Sequence, residues 1–139
     1  MKRGGCEMET NNREQIIRSR VEAYCRAVET QDEAAFRALW GGDSPTLISI
    51  GTVYAGIDSI CRDFLIGGIR RAYASIRLVA EDLSIRFDAD NLAVVVFGYH
   101  TECIRRDTGA PHGIRGMETQ LFVLEDGDWK LTHLHYSKA

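Results

Sequence analysis

The chain has 139 residues, of which 45% are hydrophobic and 27% are charged, and its net charge at pH 7 is -3. This length supports one domain with a core of its own, and the composition excludes disordered, collagen-like and coiled-coil proteins. No basic stretch favours nucleic-acid binding, and the longest apolar run is far shorter than the ~20 residues that cross a bilayer. We therefore expect neither a nucleic-acid partner nor a membrane partner.

The beginning of the chain differs from the rest in composition. Residues 1–10 start with basic residues but have no apolar stretch after them, so they predict a flexible tail and not a signal peptide. Residues 11–139 are predicted to form a single domain. The four cysteines show no C-x-x-C spacing. This is typical of reduced thiols and predicts a cytoplasmic location.

Three helices are predicted in the first half of the domain. The first covers about residues 12–29, where apolar residues recur every three or four positions and place Tyr24 in a buried stripe. The second begins after Thr30–Glu33, which has the pattern of a capping box. The third covers about residues 57–66 and is expected to end at Gly67-Gly68.

The remainder reads as strands separated by turn residues. The predicted strands are 46–50, 52–55, 77–87, 92–105, 113–124 and 129–137. Short turns between the four long strands indicate an antiparallel meander. Helices followed by a meander predict an α+β fold, in which a cone-shaped, curved antiparallel sheet wraps around the N-terminal helices. The hollow between the two layers is the expected place for a small ligand.

The strands are apolar on both of their alternating faces. In Leu92–Tyr99 the apolar residues occupy even and odd positions alike, and Leu121–Leu124 repeats this pattern. Helices can cover only one face of a sheet, and the other would remain an exposed apolar patch. We therefore expect a homodimer that packs through the convex sheet face.

The order of elements over residues 12–138 resembles the nuclear-transport-factor-2-like (NTF2-like) superfamily. This superfamily includes ketosteroid isomerase and SnoaL-type polyketide cyclases. The closing strands also resemble the association domain of calcium/calmodulin-dependent kinase II, through Glu118-Thr119, Asp126-Gly127-x-Trp129 and His133-x-His135-x-Ser137. The resemblance implies the fold more than it implies a function, because this fold carries many chemistries.

Two functional positions are implied by the resemblance to ketosteroid isomerase. Tyr24 falls at its oxyanion-hole tyrosine and Gln120 at its second hydrogen-bond donor, and a phenol and an amide can both donate to a ligand oxygen. Ile48-Ser49 stands where the isomerase has its general-base aspartate, so that base is missing. The pocket arginines of the kinase association domain are replaced by His100, Gln120 and Tyr136.

Polar residues interrupt the apolar strands at His100, Glu102, Glu118 and Gln120. A hairpin closed around Asp107–Pro111 would place His100 opposite Gln120 and Glu102 opposite Glu118. In that arrangement His100 is the candidate group for proton transfer near neutral pH. The alternatives are a hydrogen-bonded core histidine and a solvated strand end at Glu102.

The last strand carries His133 and His135 on one face. If the Glu125–Asp128 turn has two residues, His133 faces the pocket. If it has three, with a bulge at Gly127, Tyr136 joins the pocket instead. The family resemblance favours the second arrangement, so Tyr136 is expected inside and both histidines outside. Two histidines on one strand lack a third ligand, and we expect no metal.

Further side chains are candidates for the pocket wall, although aromatic residues at helical spacing usually belong to the core: Trp40, Tyr54, Phe64 and Ile60. The sequence therefore predicts a small-molecule-binding domain with an internal pocket and no cofactor. One alternative is a cofactor-independent isomerase, cyclase or hydratase that acts on a small apolar carbonyl compound. Another is a non-catalytic oligomerisation domain. The missing aspartate base favours a binding domain.

Overall fold

The computed structural model describes the backbone of residues 2–139 and the side chains of residues 11–139. Within these residues the chain forms helices α1 (Lys2–Thr30), α2 (Glu33–Ala38) and α3 (Ser59–Arg70) and strands β1 (Thr46–Ser49), β2 (Thr52–Ala55), β3 (Tyr73–Ala89), β4 (Leu92–Arg105), β5 (Pro111–His112), β6 (Arg115–Glu125) and β7 (Asp128–Tyr136). The predicted α+β class is confirmed.

All strands belong to one sheet with the order β2-β1-β7-β6-β4-β3, and β5 pairs with the end of β4. The four long strands form the predicted antiparallel meander. Strand β1 runs parallel to β7, with Leu47 beside Leu134, so the sheet is mixed and not wholly antiparallel. No helix in the described part of the chain has an apolar stretch long enough to cross a membrane.

Helix α1 packs along the sheet through one apolar stripe. Ile17, Val21, Tyr24 and Val28 are each at most 2% exposed, and their spacing of three and four residues puts them on one face. The helix begins at Lys2, so its first turns include residues for which the sequence predicts a flexible tail. Residue 1 of that predicted tail lies outside the described residues.

Helix α2 is capped by a different residue from the predicted one. Asp32 accepts a 3.1 Å hydrogen bond from the backbone N–H of Ala35. Thr30 instead ends α1, where its hydroxyl donates to the carbonyl oxygen of Arg26 at 2.9 Å. The predicted capping box over Thr30–Glu33 is therefore wrong, because the break between the helices falls at Gln31, whose φ is 56°.

Helix α3 has the wide turn of a π-helix and continues through Gly67-Gly68 to Arg70. The predicted end at residue 66 is wrong, because neither glycine has the positive φ that usually ends a helix. A side chain at Gly67 would come within 3.2 Å of the carbonyl oxygen of Arg62. π-Helical turns occur frequently at functional sites, and Phe64 of this helix faces the sheet.

The hairpin between β4 and β6 closes earlier than the sequence predicts. The Arg105 N–H bonds to the carbonyl of Ala110, and Gly109 has a φ of 72° in the turn between them. The predicted turn was centred on residues further along the chain. The earlier turn pairs each residue of β4 with a residue of β6 five positions before the predicted one. Because successive side chains of a strand point to opposite faces, a shift by an odd number of residues changes which residues share a face of the sheet.

The predicted pairs across this hairpin are consequently wrong. His100 lies opposite Arg115 and not opposite Gln120, which lies opposite Val95. Glu118 lies opposite Phe97 and not opposite Glu102. Glu118 and Gln120 face the helices, whereas His100 and Glu102 lie on the open face of the sheet.

The turn between β6 and β7 also differs from the expected form. It has two residues, Asp126 and Gly127, whose φ values of 50° and 82° suit the tight turn of a hairpin. A bulge at Thr132 shifts the register by one residue between Phe122 and Leu121. The predicted three-residue turn is therefore wrong, and the bulge is what directs Tyr136 towards the helices.

Candidate functional site

A cavity of about 60 Å³ lies between α1, α3 and the helix-covered face of the sheet. This volume holds about four water molecules, or a molecule of similar size. The cavity wall is mostly aromatic and aliphatic and is formed by Tyr24, Val28, Phe64, Ile69, Tyr73, Ile76, Leu78, Tyr99, Thr101, Cys103, Ile114, Glu118 and Tyr136. The cavity therefore offers mostly apolar contact surface, with few polar groups.

Glu118 is the acidic group of this cavity. It lies in the middle of β6 and is 2% exposed, because it alternates with Gln120 and Phe122 on the face that the helices cover. Burial raises the pKa of Glu118 to about 8, although a hydrogen bond from Gln120 lowers it in part. At neutral pH the carboxyl group is therefore mostly protonated.

Gln120 fixes one side of this carboxyl group. Its Nε2 donates to Oε2 of Glu118 at 2.6 Å, and the glutamine itself is fully buried. Among the described side chains, none is hydrogen-bonded to the other carboxyl oxygen of Glu118. That second oxygen is available to a molecule in the cavity, where it can donate when protonated and accept when ionised.

Three tyrosines lie around the carboxyl group: Tyr24 and Tyr99 are buried, and Tyr136 is half-buried. Tyr99 donates to the carbonyl oxygen of Ser137 at 2.8 Å, and the hydroxyl groups of Tyr136 and Ser49 share a 2.5 Å hydrogen bond. Tyr24 is 2% exposed, and its hydroxyl has no hydrogen-bond partner in the side chains that the structure describes. Of these three hydroxyl groups, that of Tyr24 is the one available to a ligand.

Burial keeps these hydroxyl groups neutral. It is the main cause that raises the pKa of Tyr24, of Tyr99 and of Tyr136, with the charge of Glu118 as a further cause for each. For Tyr136 the pKa rises to about 12. The tyrosines can therefore donate or accept hydrogen bonds near neutral pH, but they do not ionise there.

The side chains at one end of the cavity are partly exposed. Ile69 and Tyr73 from the α3–β3 region and Thr101 and Ile114 from the sheet are intermediate in burial, whereas Glu118 is buried. Solvent therefore reaches these side chains in part, whereas the carboxyl group of Glu118 is shielded from it.

Four of the site residues predicted from the sequence belong to this cavity or touch it. Tyr24, Phe64 and Tyr136 line it. Gln120 reaches it through its hydrogen bond to Glu118. The helix stripe, the apolar face of α3 and the bulge in β7 bring these residues together from distant parts of the chain.

His100 and Glu102 lie on the opposite face of the sheet and cannot share the cavity. Nδ1 of His100 bonds to Glu81, and its Nε2 lies 3.1 Å from Glu102, which also pairs with Arg77 at 3.3 Å. The hydrogen bond to Glu81 is the main cause that raises the pKa of His100. The proton-transfer arrangement of His100 with Tyr24 and Gln120 is not formed.

The other predicted wall residues pack in the core beside the cavity. The Trp40 ring lies 5.9 Å from that of Phe36, and the Tyr54 ring lies 5.5 Å from that of Phe64. Ile60 is fully buried. None of these three is among the described side chains that line the cavity.

The two histidines of β7 lie outside the cavity. Nδ1 of His133 is 2.6 Å from the Thr46 hydroxyl, and burial lowers the pKa of His133. His135 is exposed. Within residues 11–139, no three His, Cys, Asp or Glu side chains come close enough together to hold a metal ion.

Sequence reasoning named Glu118 among the polar residues of the strands but gave it no role in the site. Glu118 precedes Gln120 by two residues, so the two share a face of the strand in any register. Placing Gln120 in the pocket therefore already implied Glu118 there. Tyr99 likewise lies on the same face of β4 as the inward residues Val95 and Phe97, because every second residue of a strand points the same way.

Comparison with known proteins defines the family. The sequence profile of the SnoaL-like domain matches residues 17–139. This chain belongs to the SnoaL-like domain family. No curated protein matches the chain significantly.

Solved structures share the fold of this SnoaL-like domain. An NTF2-like superfamily protein from Salmonella enterica matches with a TM-score of 0.86 and 22% identity, over 93% of this chain and 92% of its own. Hexachlorocyclohexane dehydrochlorinase LinA-type3 from Novosphingobium barchaimii matches with a TM-score of 0.82 and 14% identity, over 95% of this chain and 90% of its own. A structure assigned to the calcium/calmodulin-dependent protein kinase II association domain, from Xanthomonas campestris, matches with a TM-score of 0.76 and 17% identity, over 88% of this chain and 85% of its own. At these identities the likeness shows the fold alone.

Proposed function

We propose that this SnoaL-like domain binds a small organic molecule in the cavity, with Glu118 as its polar anchor. The observation that carries the proposal is a carboxyl group that is 2% exposed and lines a cavity, with one oxygen held by Gln120. Burying such a group costs free energy that an apolar residue would not cost. A side chain that served only the core would be expected to be apolar at this position.

Proton transfer is a second candidate function of the same site. A buried carboxyl group with a pKa of about 8 can give or take a proton near neutral pH. One protein of the same fold is a hexachlorocyclohexane dehydrochlorinase, and an elimination of this kind requires the removal of a proton from carbon. Glu118 would hold the role that the sequence suggested for His100.

The groups around Glu118 suit a reaction without a cofactor on a carbonyl compound. In the ionised form, Glu118 would remove a proton from the carbon next to the carbonyl group. The free hydroxyl of Tyr24 would donate to the carbonyl oxygen as negative charge develops on it. Glu118 would then return the proton to carbon, or the neighbouring leaving group would depart. Because the base is the ionised form, the rate would rise with pH, with its midpoint at about pH 8.

Binding is tested with three planar probes of equal size and different charge: acetamidinium, acetone and acetate. We expect at least one of them to bind and to shift the ring-proton NMR signals of Tyr99 and Tyr136. Cys103→Met should block this binding, because Cys103 lines the cavity and methionine extends into it. Cys103→Ala, which leaves the cavity open, is the matched control. If none of the three probes shifts these signals, the binding proposal is overturned.

Proton transfer is tested separately by deuterium exchange. Acetone is incubated with the protein in deuterated water, and the loss of its methyl-proton NMR signal is followed. We expect the wild-type protein to exchange acetone protons faster than Glu118→Gln, with a rate that reaches half of its maximum near pH 8 and levels off at higher pH. Equal rates for the two proteins would remove the catalytic candidate and leave the binding proposal standing.

Two further properties are part of this proposal. The open face of the sheet carries apolar side chains that remain at least partly exposed at Val96, Met117 and Leu121, which supports a homodimer through that face. The cysteines at positions 25, 61 and 103 are free, which supports a reducing, cytoplasmic location.

A further inference from the structure

We propose that the molecule bound in this cavity carries a positive charge, and that the aromatic wall and Glu118 recognise a small organic cation such as an alkylammonium or an amidinium. This inference rests on the proposed binding function and names the class of ligand. It goes beyond the apolar carbonyl compound that the family resemblance suggests.

The charge balance of the cavity is the first observation. Of the thirteen described side chains that line it, none belongs to Lys, Arg or His, and Glu118 is the carboxyl group among them. Gln120 supplies a hydrogen bond to Glu118 but no charge. A buried carboxylate without a cation is unfavourable, and a cation in the cavity would supply the missing counter-charge. An anionic ligand would meet the carboxyl group with no positive group to compensate.

The aromatic wall is the second observation. Five of the thirteen lining side chains are aromatic: Tyr24, Phe64, Tyr73, Tyr99 and Tyr136. The Tyr136 ring is tilted by 83° to that of Tyr99 and by 62° to that of Phe64, so these rings surround the space in different planes. The negative face of an aromatic ring attracts cations, and cages of such rings bind ammonium ligands.

The hydroxyl groups support the same conclusion. Those of Tyr99 and Tyr136 are bonded to Ser137 and Ser49, so these two residues offer aromatic surface more than free donors. The hydroxyl of Tyr24 and the second oxygen of Glu118 are available as hydrogen-bond partners. An ammonium or amidinium group has several N–H donors, which a phenol oxygen and a carboxylate can both accept.

Cation binding has a pH dependence that a neutral ligand lacks. The carboxyl group must lose its proton to pair with a cation, and with a pKa of about 8 this weakens binding about tenfold at pH 7. The groups that act on Glu118 or respond to its charge are Tyr24 and Cys25 on α1, Tyr99 on β4, Gln120 on β6 and Tyr136 on β7. The tyrosines and Cys25 all have raised pKa values, so Glu118 alone among them titrates between pH 6 and 8.

The test compares the three planar probes by isothermal titration calorimetry. At pH 7 we expect acetamidinium to bind at least tenfold more tightly than acetone, and acetate most weakly. Its affinity should rise about tenfold from pH 6 to pH 7, with release of close to one proton at pH 7. Buffers of different ionisation enthalpy measure that proton. The affinity for acetone should not rise over this range.

Glu118→Gln is the decisive variant, and Glu102→Gln on the open face is its matched control. Glu118→Gln should lose the preference for acetamidinium over acetone, whereas Glu102→Gln should keep it. If Glu118→Gln does not fold, the pH series and proton release of the wild-type protein decide the question.

The possible failures separate the two proposals. If acetone binds in the cavity as tightly as acetamidinium, the cation inference is overturned and the binding function stands. If acetamidinium binds but Cys103→Met or Glu118→Gln leaves its affinity unchanged, the contact is outside the cavity and the inference is overturned. If no probe binds, the binding function itself is overturned.

Discussion

Gln120 donates a 2.6 Å hydrogen bond to Glu118 from two positions further along the same face of β6. Both side chains are buried, and the glutamine holds one oxygen of the carboxyl group while the other remains at the cavity. The pair combines two opposing effects on one acid. Burial raises the pKa of Glu118, and the amide donor lowers it.

Replacement of Gln120 by Leu should raise the pKa of Glu118 further. The change removes a donor that favours the carboxylate, and a hydrogen bond to a charged group is worth about 1.5 kcal/mol or more, which corresponds to about one pKa unit. The measurement is a carbon-13 NMR titration of the Glu118 carboxyl group. Thr119→Val, on the other face of the same strand, is the control. A lower pKa in Gln120→Leu would contradict the described hydrogen bond.

Replacement of Glu118 by Gln should stabilise the protein at pH 8 and leave it unchanged near pH 4. The folded state holds the Glu118 proton up to about pH 8, whereas the unfolded chain releases it near 4.5. The free energy of unfolding therefore falls by up to about 1.4 kcal/mol for each pH unit in this window, a loss that glutamine avoids. Denaturant unfolding at a series of pH values measures the difference. A difference between the two proteins that does not change with pH would show that Glu118 has an ordinary pKa.

The His100 imidazole should titrate above its ordinary value. Its hydrogen bonds to Glu81 and, secondly, to Glu102 favour the protonated ring. The resulting stabilisation is complete below about pH 6.5 and is lost as the pH rises through the raised pKa. Proton NMR of the imidazole measures the shift. Glu81→Gln should reduce it more than Glu102→Gln, and the reverse order would contradict the assignment of Glu81 as the main partner.

The open sheet face should mediate self-association. The wild-type chain should sediment at about twice its mass of 15.6 kDa. Val96→Lys and Leu121→Lys, which place charge on partly exposed residues of β4 and β6, should convert it to a monomer. Ile50→Lys is the control, because Ile50 is 51% exposed at the β1–β2 turn and lies away from that patch. A wild-type monomer at micromolar concentration would exclude the dimer.

Much of the fold follows from local patterns in the sequence. The stripe from Ile17 to Val28 is enough to predict α1 and its buried face, because a helix places every third or fourth residue on one side. The turn residues between the long strands predict the meander, since glycine and aspartate tolerate the backbone angles that tight turns require. These features depend on neighbours within a few residues, and they are therefore visible in the sequence.

The composition of the cavity depended on features that only the folded chain decides. The turn that includes Gly109 closes ahead of Pro111, and this choice alone moves His100 to the open face and pairs Gln120 with Val95. The bulge at Thr132 directs Tyr136 inwards. The turn and the bulge each shift the pairing of the strands by an odd number of residues. Local propensity cannot distinguish between the possible registers, because both faces of these strands are apolar.

The chemistry of the site is likewise a product of tertiary structure. In the sequence Glu118 is one acidic residue in a strand. Its distance of two residues from Gln120 determines only that both side chains lie on the same face of that strand. Its raised pKa arises because α1, α3 and the neighbouring strands remove water from around it without supplying a cation. The sequence by itself therefore determined the elements and the pairing of residues within a strand. The packing of distant elements decided which acid is buried, because desolvation depends on everything that surrounds a group and not on its neighbours along the chain.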